Sequence, residues 1–99
     1  MFIGEVIGTV VATRKTENMQ GLTLRVVRRL TTDNAPTDSY TVAVDVVGAS
    51  EGERVLVSSG SPARQTPQTD ARPVDALILA IVDNWQVQQR LVYTKHDEI

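Results

Sequence analysis

Hydrophobic and polar residues alternate along short segments of the chain, with the period of two that is typical of β-strands. The alternation is clearest at 22–29. One predicted face of this segment carries Leu22, Leu24 and Val26. The opposite, more polar face carries Thr23, Arg25, Val27 and Arg29. The pattern predicts a strand with one side turned towards a core.

Other segments also have strand-like compositions, rich in Val, Ile, Leu and Thr. They are bounded by polar residues, glycine or proline and cover 2–13, 40–47, 54–59 and 75–87. The last segment is apolar without alternation, which predicts burial of both its faces. A short extra strand is predicted at 90–94. Polar connections are predicted at 14–21, 31–38 and 66–73, and the last of these is expected to be loose.

A short helix is predicted just before the last long strand. Ser61 has the side chain of an N-cap, and Pro62 suits the first helical position. Strands with one short helix at this place predict an all-β fold, a small five-stranded, partly open barrel of the OB type. Gly4 and Gly8 share one face of the first strand, which predicts the bending or close backbone approach that a small barrel needs. A two-sheet sandwich is the alternative.

The length of 99 residues suits a single domain, and a domain of this size gains from an additional source of stability. Cysteine is absent and histidine occurs once, at His96, so neither a disulfide nor a four-ligand zinc site is predicted. No other residue pattern indicates a cofactor. Contact between subunits is therefore the route to stability that the composition leaves open.

Charge and hydropathy narrow the classes of partner. The net charge of −2, with acidic and basic residues mixed along the chain, argues against nucleic acid. The longest apolar run, 76–82, is too short to span a membrane, and the N-terminus lacks the features of a signal peptide. The sequence therefore predicts a cytoplasmic protein that binds neither membrane nor nucleic acid.

The serines at 58, 59 and 61 cluster beside Gly60, but no histidine lies near them in the sequence to act as a base. Asp75 and Asp83 flank an apolar strand, where capping of the strand ends is their expected role. The sequence thus predicts no enzyme. Two alternatives stay open, an OB-type nucleic-acid module and a catalytic site formed between subunits.

Three stretches of the chain carry a resemblance to a known family. The first is 8–15 with Gly21, the second comprises 45–49, 55–57 and 60–65, and the third comprises 72–76 and 80–83. In order and spacing they resemble the EutN/CcmL family of bacterial microcompartment vertex proteins over nearly the whole chain. The segment 90–98 is similar to the C-terminal extension of the carboxysome members. Ser50, Pro62 and Trp85 depart from the pattern of those relatives.

The resemblance implies one EutN/CcmL-type domain over 1–99, with 88–99 as a C-terminal extension. It implies an OB-like barrel that assembles as a cyclic homopentamer and caps the vertices of the carboxysome shell, where it supports carbon dioxide concentration and fixation. Hexameric shell proteins are the implied neighbours, and inner carboxysome scaffold proteins are further candidates. A vertex protein of another microcompartment is the alternative.

The resemblance also indicates a site at the five-fold axis, in the turn 58–64. The candidate residues are Ser58, Ser59, Gly60, Ser61 and Arg64. A helix start repeated around an axis would place free N–H groups there and attract anions. Arg64 either adds to this field or ties the turn to the barrel or to a neighbour. The alternative is that the turn only supports the subunit interface.

Overall fold

Strands dominate the part of the chain that the structure describes, residues 1–95 of a computed structural model. The seven strands are β1 (Phe2–Val10), β2 (Thr23–Leu30), β3 (Pro36–Asp45), β4 (Arg54–Ser59), β5 (Ala76–Ile81), β6 (Asn84–Val87) and β7 (Arg90–Thr94). Two 3₁₀ turns, Glu17–Met19 and Ser61–Arg64, accompany them. The all-β prediction is confirmed. The predicted tail with His96 lies outside the described residues.

Five of these strands close into a barrel in the order β1-β2-β3-β5-β4. Every pairing is antiparallel except that of β3 with β5, which is parallel. The predicted barrel is therefore confirmed, and it is closed rather than partly open. β6 and β7 form a separate hairpin beyond the barrel. The first strand ends at Val10 and not at the predicted residue 13, because the pairing with β2 stops at Leu24.

β1 and β2 approach closely at Gly4. A Cβ atom at Gly4 would overlap Cγ1 of Val27 and lie 3.0 Å from the carbonyl oxygen of Arg28. The pairing register shifts between Val6 and Gly8, and such a bulge increases the bend of a strand. The bending or close approach predicted from the two strand glycines is thus present as a close approach at Gly4, whereas a Cβ at Gly8 would make only ordinary contacts.

Small and β-branched side chains fill the inside of the barrel, and all five strands or their connections contribute to it. This inner core consists of Val6, Val27, Ala43, Ala49, Val55, Val57, Ala76 and Ile78. Val27 is fully buried here, on the opposite side of β2 from Val26, as the alternation predicted. The side that Val27 shares with Arg25 is therefore the side that turns into the barrel. A second register shift lies further along this strand, between Arg28 and Leu30.

A second apolar layer lies outside the barrel wall, beneath the segment 61–74. Val44 and Leu77 are neighbours in the parallel β3–β5 pair, and they point away from the inner core because the adjacent residues Ala43 and Ile78 point into it. Ala63 and Val74 from the covering segment pack on them, with Leu22 alongside. The β3–β5 pair is therefore buried on both faces, as the apolar run in 75–87 predicted for its first residues.

The segment predicted to be loose is held by its own hydrogen bonds. Thr69 is fully buried, and its hydroxyl lies 2.7 Å from that of Thr66. The guanidinium of Arg72 donates to the carbonyl oxygen of Gln20 at 2.9 Å. These contacts fasten the connection to the rest of the subunit. The expected mobility of the segment stays a prediction.

The predicted strand 75–87 is two strands. β5 ends at Ile81, and the N–H of Val82 makes a last bond to the carbonyl oxygen of Arg54 at 2.8 Å. The chain then leaves the barrel and forms β6, which pairs with β7 through a turn at Gln88 and Gln89, both with positive φ. The predicted extra strand at 90–94 is confirmed as β7.

Candidate axis turn and C-terminal hairpin

The turn that joins β4 to the 3₁₀ turn Ser61–Arg64 depends on one glycine. Gly60 has φ 73° and ψ −152°, a conformation that is open to glycine and strained for other residues. Its N–H donates to the carbonyl oxygen of Asp75 at 2.7 Å, which ties the turn to the start of β5. The sharp change of direction after Ser59 therefore requires glycine.

The proposed site residues differ in how the fold presents them. Ser59, Gly60 and Ser61 are exposed, whereas Ser58 is buried beside Leu77 in the β4–β5 pair. Ser58 thus faces the subunit interior. The exposed residues of the turn are 59–62, and we call the first three of them, 59–61, the rim turn.

The N-cap of the 3₁₀ turn is Gly60, and no side chain caps it, so the prediction of Ser61 as N-cap is wrong by one residue. Few amides are free here. The N–H of Gly60 binds Asp75, Pro62 has none, and the N–H of Ala63 donates to the carbonyl oxygen of Gly60 at 3.1 Å. What the rim turn offers to a neighbour is therefore chiefly the hydroxyl groups of Ser59 and Ser61.

Arg64 ties the turn to the rest of the subunit. Its Nη1 donates to the carbonyl oxygen of Val74 at 2.9 Å, and the side chain is partly buried. Of the two roles expected for Arg64, the tie to its own barrel is the one that its hydrogen bond supports.

The β6–β7 hairpin is fastened to the opposite end of β4. The indole N–H of Trp85 donates to the carbonyl oxygen of Thr32 at 2.9 Å, and the ring stacks on Tyr93 with centroids 5.1 Å apart. The guanidinium of Arg54, the first residue of β4, lies over the ring of Tyr93, 5.1 Å from its centroid. These contacts hold the hairpin against its own barrel.

An ion pair adds to this attachment. Nζ of Lys95 lies 2.5 Å from a carboxylate oxygen of Glu53. The hydrogen bond from Lys95 lowers the pKa of Glu53, helped by the backbone N–H of Ser50, and the same bond raises the pKa of Lys95. Both groups are therefore charged around neutral pH, and the end of the hairpin stays paired with the barrel.

Two anchoring residues had no role in the sequence-based prediction. Arg54 also donates to Asn34 at 3.1 Å and to the carbonyl oxygen of Gly52 at 2.8 Å, so one side chain joins three connections. Asp45 is buried and accepts bonds from Arg25 and from the N–H groups of 47, 48 and 49. The signal for Asp45 was its place two residues before Val47-Gly48, in one of the family-like stretches.

The described residues hold no cluster of three His, Cys, Asp or Glu side chains that could bind a metal ion. Within residues 1–95, no helix has the length and apolar character needed to cross a membrane. The exposed features of the subunit are instead the rim turn, the hairpin and apolar patches on the outer strand faces. Together they define a small structural barrel that presents surfaces for contact with other proteins.

The comparisons with known proteins give this barrel its family. Residues 1–83 match the family model described as ethanolamine utilisation protein EutN/carboxysome, and the chain belongs to this EutN/CcmL family. The match ends one residue before β6, so the hairpin lies beyond it. The family resemblance found in the sequence is confirmed.

Individual relatives extend the likeness to the hairpin. The carboxysome shell vertex protein CcmL of Synechocystis sp. is 43% identical over 98 residues, 99% of this chain and 98% of that protein. The structure of CcmL from Gloeobacter violaceus superposes with a TM-score of 0.95 at 41% identity, over 98% of this chain and all of the other.

A relative from another kind of microcompartment matches a shorter part of the chain. The shell vertex protein GrpN of Rhodospirillum rubrum is 51% identical over 83 residues, 84% of this chain and 93% of that protein. The structure described as a GrpN pentameric microcompartment shell protein superposes with a TM-score of 0.80 at 47% identity, over 88% of this chain and all of the other. The barrel is thus common to both kinds of relative.

Proposed function

We propose that five copies of this chain form a ring that occupies the vertices of a carboxysome shell. The observation that carries the proposal is the likeness to CcmL over the whole chain, hairpin included, at 41–43% identity. A flat layer of hexagonal units cannot close into a polyhedron, and five-fold units supply the missing curvature. Hexameric shell proteins are therefore the partners that such a ring requires. Inner scaffold proteins of the carboxysome are further partners in this proposal.

The work of this protein is geometric in the proposal, and it has no enzymatic step and no cofactor. A closed shell retains carbon dioxide near the fixing enzyme, so closure itself supports carbon fixation. A second candidate is a vertex role in a different microcompartment. It is favoured by the 51% identity of the barrel to GrpN.

The first test is the number of subunits in solution. Native mass spectrometry of the purified chain at micromolar concentration should show one dominant species at five times the chain mass of 10.8 kDa. A ring built from one repeated contact closes at a fixed number, so neighbouring masses should be minor. A predominant monomer would contradict both candidate functions.

The rim turn is the part of the subunit that we place at the five-fold axis. It projects from the end of the barrel at which β4 passes into β5, and its residues 59–61 are exposed. Gly60 lets the backbone turn there without a bulky side chain, and the hydroxyl groups of Ser59 and Ser61 would line the opening. Arg64 holds the turn in place through Val74. Ser58 supports it from within.

Cysteine scanning tests this placement, because the chain has no cysteine of its own. Ser61→Cys should form disulfide-linked subunits on mild oxidation, since positions near a five-fold axis approach the ~4.4–6.8 Å between Cα atoms that a disulfide needs. Ser50→Cys is the matched control, an exposed serine near the opposite end of β4. Equal cross-linking of the two variants in intact pentamers would remove Ser61 from the axis.

A further inference from the structure

One outer wall of the barrel carries an uncovered apolar surface on β2 and β3. Val42 and Tyr40 are about half exposed, at 51% and 50%, although they lie in the middle of a strand. Val42 pairs with Val26, and Val26 pairs with Gly8. Because Gly8 has no side chain, it leaves the side chains of Val26 and Val42 uncovered. We call the surface formed by Leu24, Val26, Tyr40 and Val42 the Val42 face.

The Val42 face continues into a groove of about 190 Å³ that leads towards the rim turn. Met19, Leu24, Val42 and Pro73 supply apolar walls, and Asp75 and Ala76 form the far end. Asp75 and Ala76 are the residues that bond or pair with Gly60 and Ser59. A contact surface in a cyclic ring must run outward from the axis, and this groove begins beside the turn that we place there.

A second uncovered apolar surface lies on the other side of the barrel. Ile3 pairs with Leu56 on the outer side of β1 and β4, and Leu79 is 37% exposed at the register shift between β4 and β5. Met1, 75% exposed, lies beside them in one shallow cavity with Ile3 and Leu56. We call the surface of Met1, Ile3, Leu56 and Leu79 the Leu56 face. In the closed strand order, β4 lies across the barrel from the β2–β3 pair.

The charges at the borders of the two faces have opposite signs. The Val42 face is bordered by Asp75 and by Asp38, which lies two residues before Tyr40 on the same side of β3. Neither carboxylate takes part in an ion pair within residues 1–95. Arg29 borders the Leu56 face. There are two exceptions. Arg28 lies on the Val42 side, where its guanidinium covers the ring of Tyr40 at 5.0 Å. Glu5, two residues after Ile3 on the same side of β1, lies on the Leu56 side, where it is paired with Arg54.

We propose that the Val42 face of one subunit packs against the Leu56 face of the next copy of the same chain. The inference rests on the proposed pentamer and names the two surfaces that meet in it. A ring needs two different surfaces, placed so that each subunit can contact a neighbour on either side. The two apolar faces meet this requirement through their opposite positions and their complementary border charges, and their contact would remove both from water.

The two faces can be tested separately with Val42→Asp and Leu79→Asp. Each variant should be a folded monomer by native mass spectrometry, with self-association about 100-fold or more weaker, because the interface would strip a carboxylate of its water. Each variant keeps one intact face. An equimolar mixture at high micromolar concentration should therefore form a one-to-one heterodimer, joined by the Val42 face of the Leu79→Asp chain and the Leu56 face of the Val42→Asp chain.

The heterodimer also shows that both variants are folded, and circular dichroism of each alone provides an independent check. Val47→Asp is the matched control, the same substitution at a residue that is 38% exposed and lies outside both faces. It should remain pentameric. A wild-type monomer would defeat the proposed function itself. If the wild type is a pentamer, three results would overturn only the assignment of the faces. They are a pentamer formed by Val42→Asp or Leu79→Asp, loss of the pentamer in Val47→Asp, and no heterodimer from the two folded monomeric variants.

Discussion

Cells that make carboxysome facets but lack this chain should form elongated or open shells and should need added carbon dioxide to grow. Facets require only the contacts between hexameric units, so they should still assemble. Closure requires a unit with five-fold symmetry at each vertex, and an unclosed shell would let carbon dioxide escape. Electron microscopy of the deletion strain and growth in air compared with enriched carbon dioxide measure the two effects.

Variants separate the loss of the ring from the loss of the protein. Returning the wild-type chain should restore closed polyhedra and growth in air. Val42→Asp should fail to do so even when it accumulates to the same level, whereas Val47→Asp should succeed. Closed polyhedra in the deletion strain would refute the vertex role, and open shells without a growth defect would separate closure from carbon fixation.

Gly4→Ala should destabilise the barrel far more than Gly8→Ala does. A Cβ at Gly4 would overlap Cγ1 of Val27 and crowd the carbonyl oxygen of Arg28, whereas a Cβ at Gly8 would meet Val26 at an ordinary 3.9 Å. Overpacking of a core costs ~1–3 kcal/mol and occasionally more, and we expect the upper end because one obstacle is backbone. Urea unfolding at equal chain concentration measures the difference.

A second substitution identifies the cause of that loss. Val27→Ala removes the Cγ1 atom that a Cβ at Gly4 would strike, at the cost of a cavity in the inner core. The double variant should therefore be less destabilised than the sum of the two single variants. Strict additivity, or equal stabilities of Gly4→Ala and Gly8→Ala, would show that the close approach at Gly4 does not limit the barrel.

Local sequence signals were enough to predict the class of fold and much of the turn 58–64. The period of two at 22–29 predicted β2, and the strand-like segment 54–59 coincides with β4. Pro62 indicated the 3₁₀ turn that follows. These features depend on residues close together in the chain, and so they can be predicted without knowledge of the partners of each strand.

Features that depend on distant partners could not be predicted in the same way. The alternation in 22–29 separates Val26 from Val27, but it does not show which of the two faces turns into the barrel; that depends on the pairing of β2 with β1 and β3. The apolar run 75–87 gave no sign of its break, which occurs where the barrel ends at Arg54 and the hairpin begins. The solvent exposure of Val42 also depends on tertiary structure, since a valine at this position of the sequence is equally compatible with a buried strand.

The position of β5 affects how the chain can fold during its synthesis. β5 is the last barrel strand in the sequence, yet it lies between β3 and β4 and pairs with both. Until the ribosome has released 76–81, those two earlier strands have unpaired edges, and such edges can pair with other chains. The barrel can therefore close only after β5 has left the ribosome. The β6–β7 hairpin must form later still, because a two-stranded hairpin has only marginal stability by itself. The residues that anchor it, Thr32, Glu53 and Arg54, belong to the finished barrel.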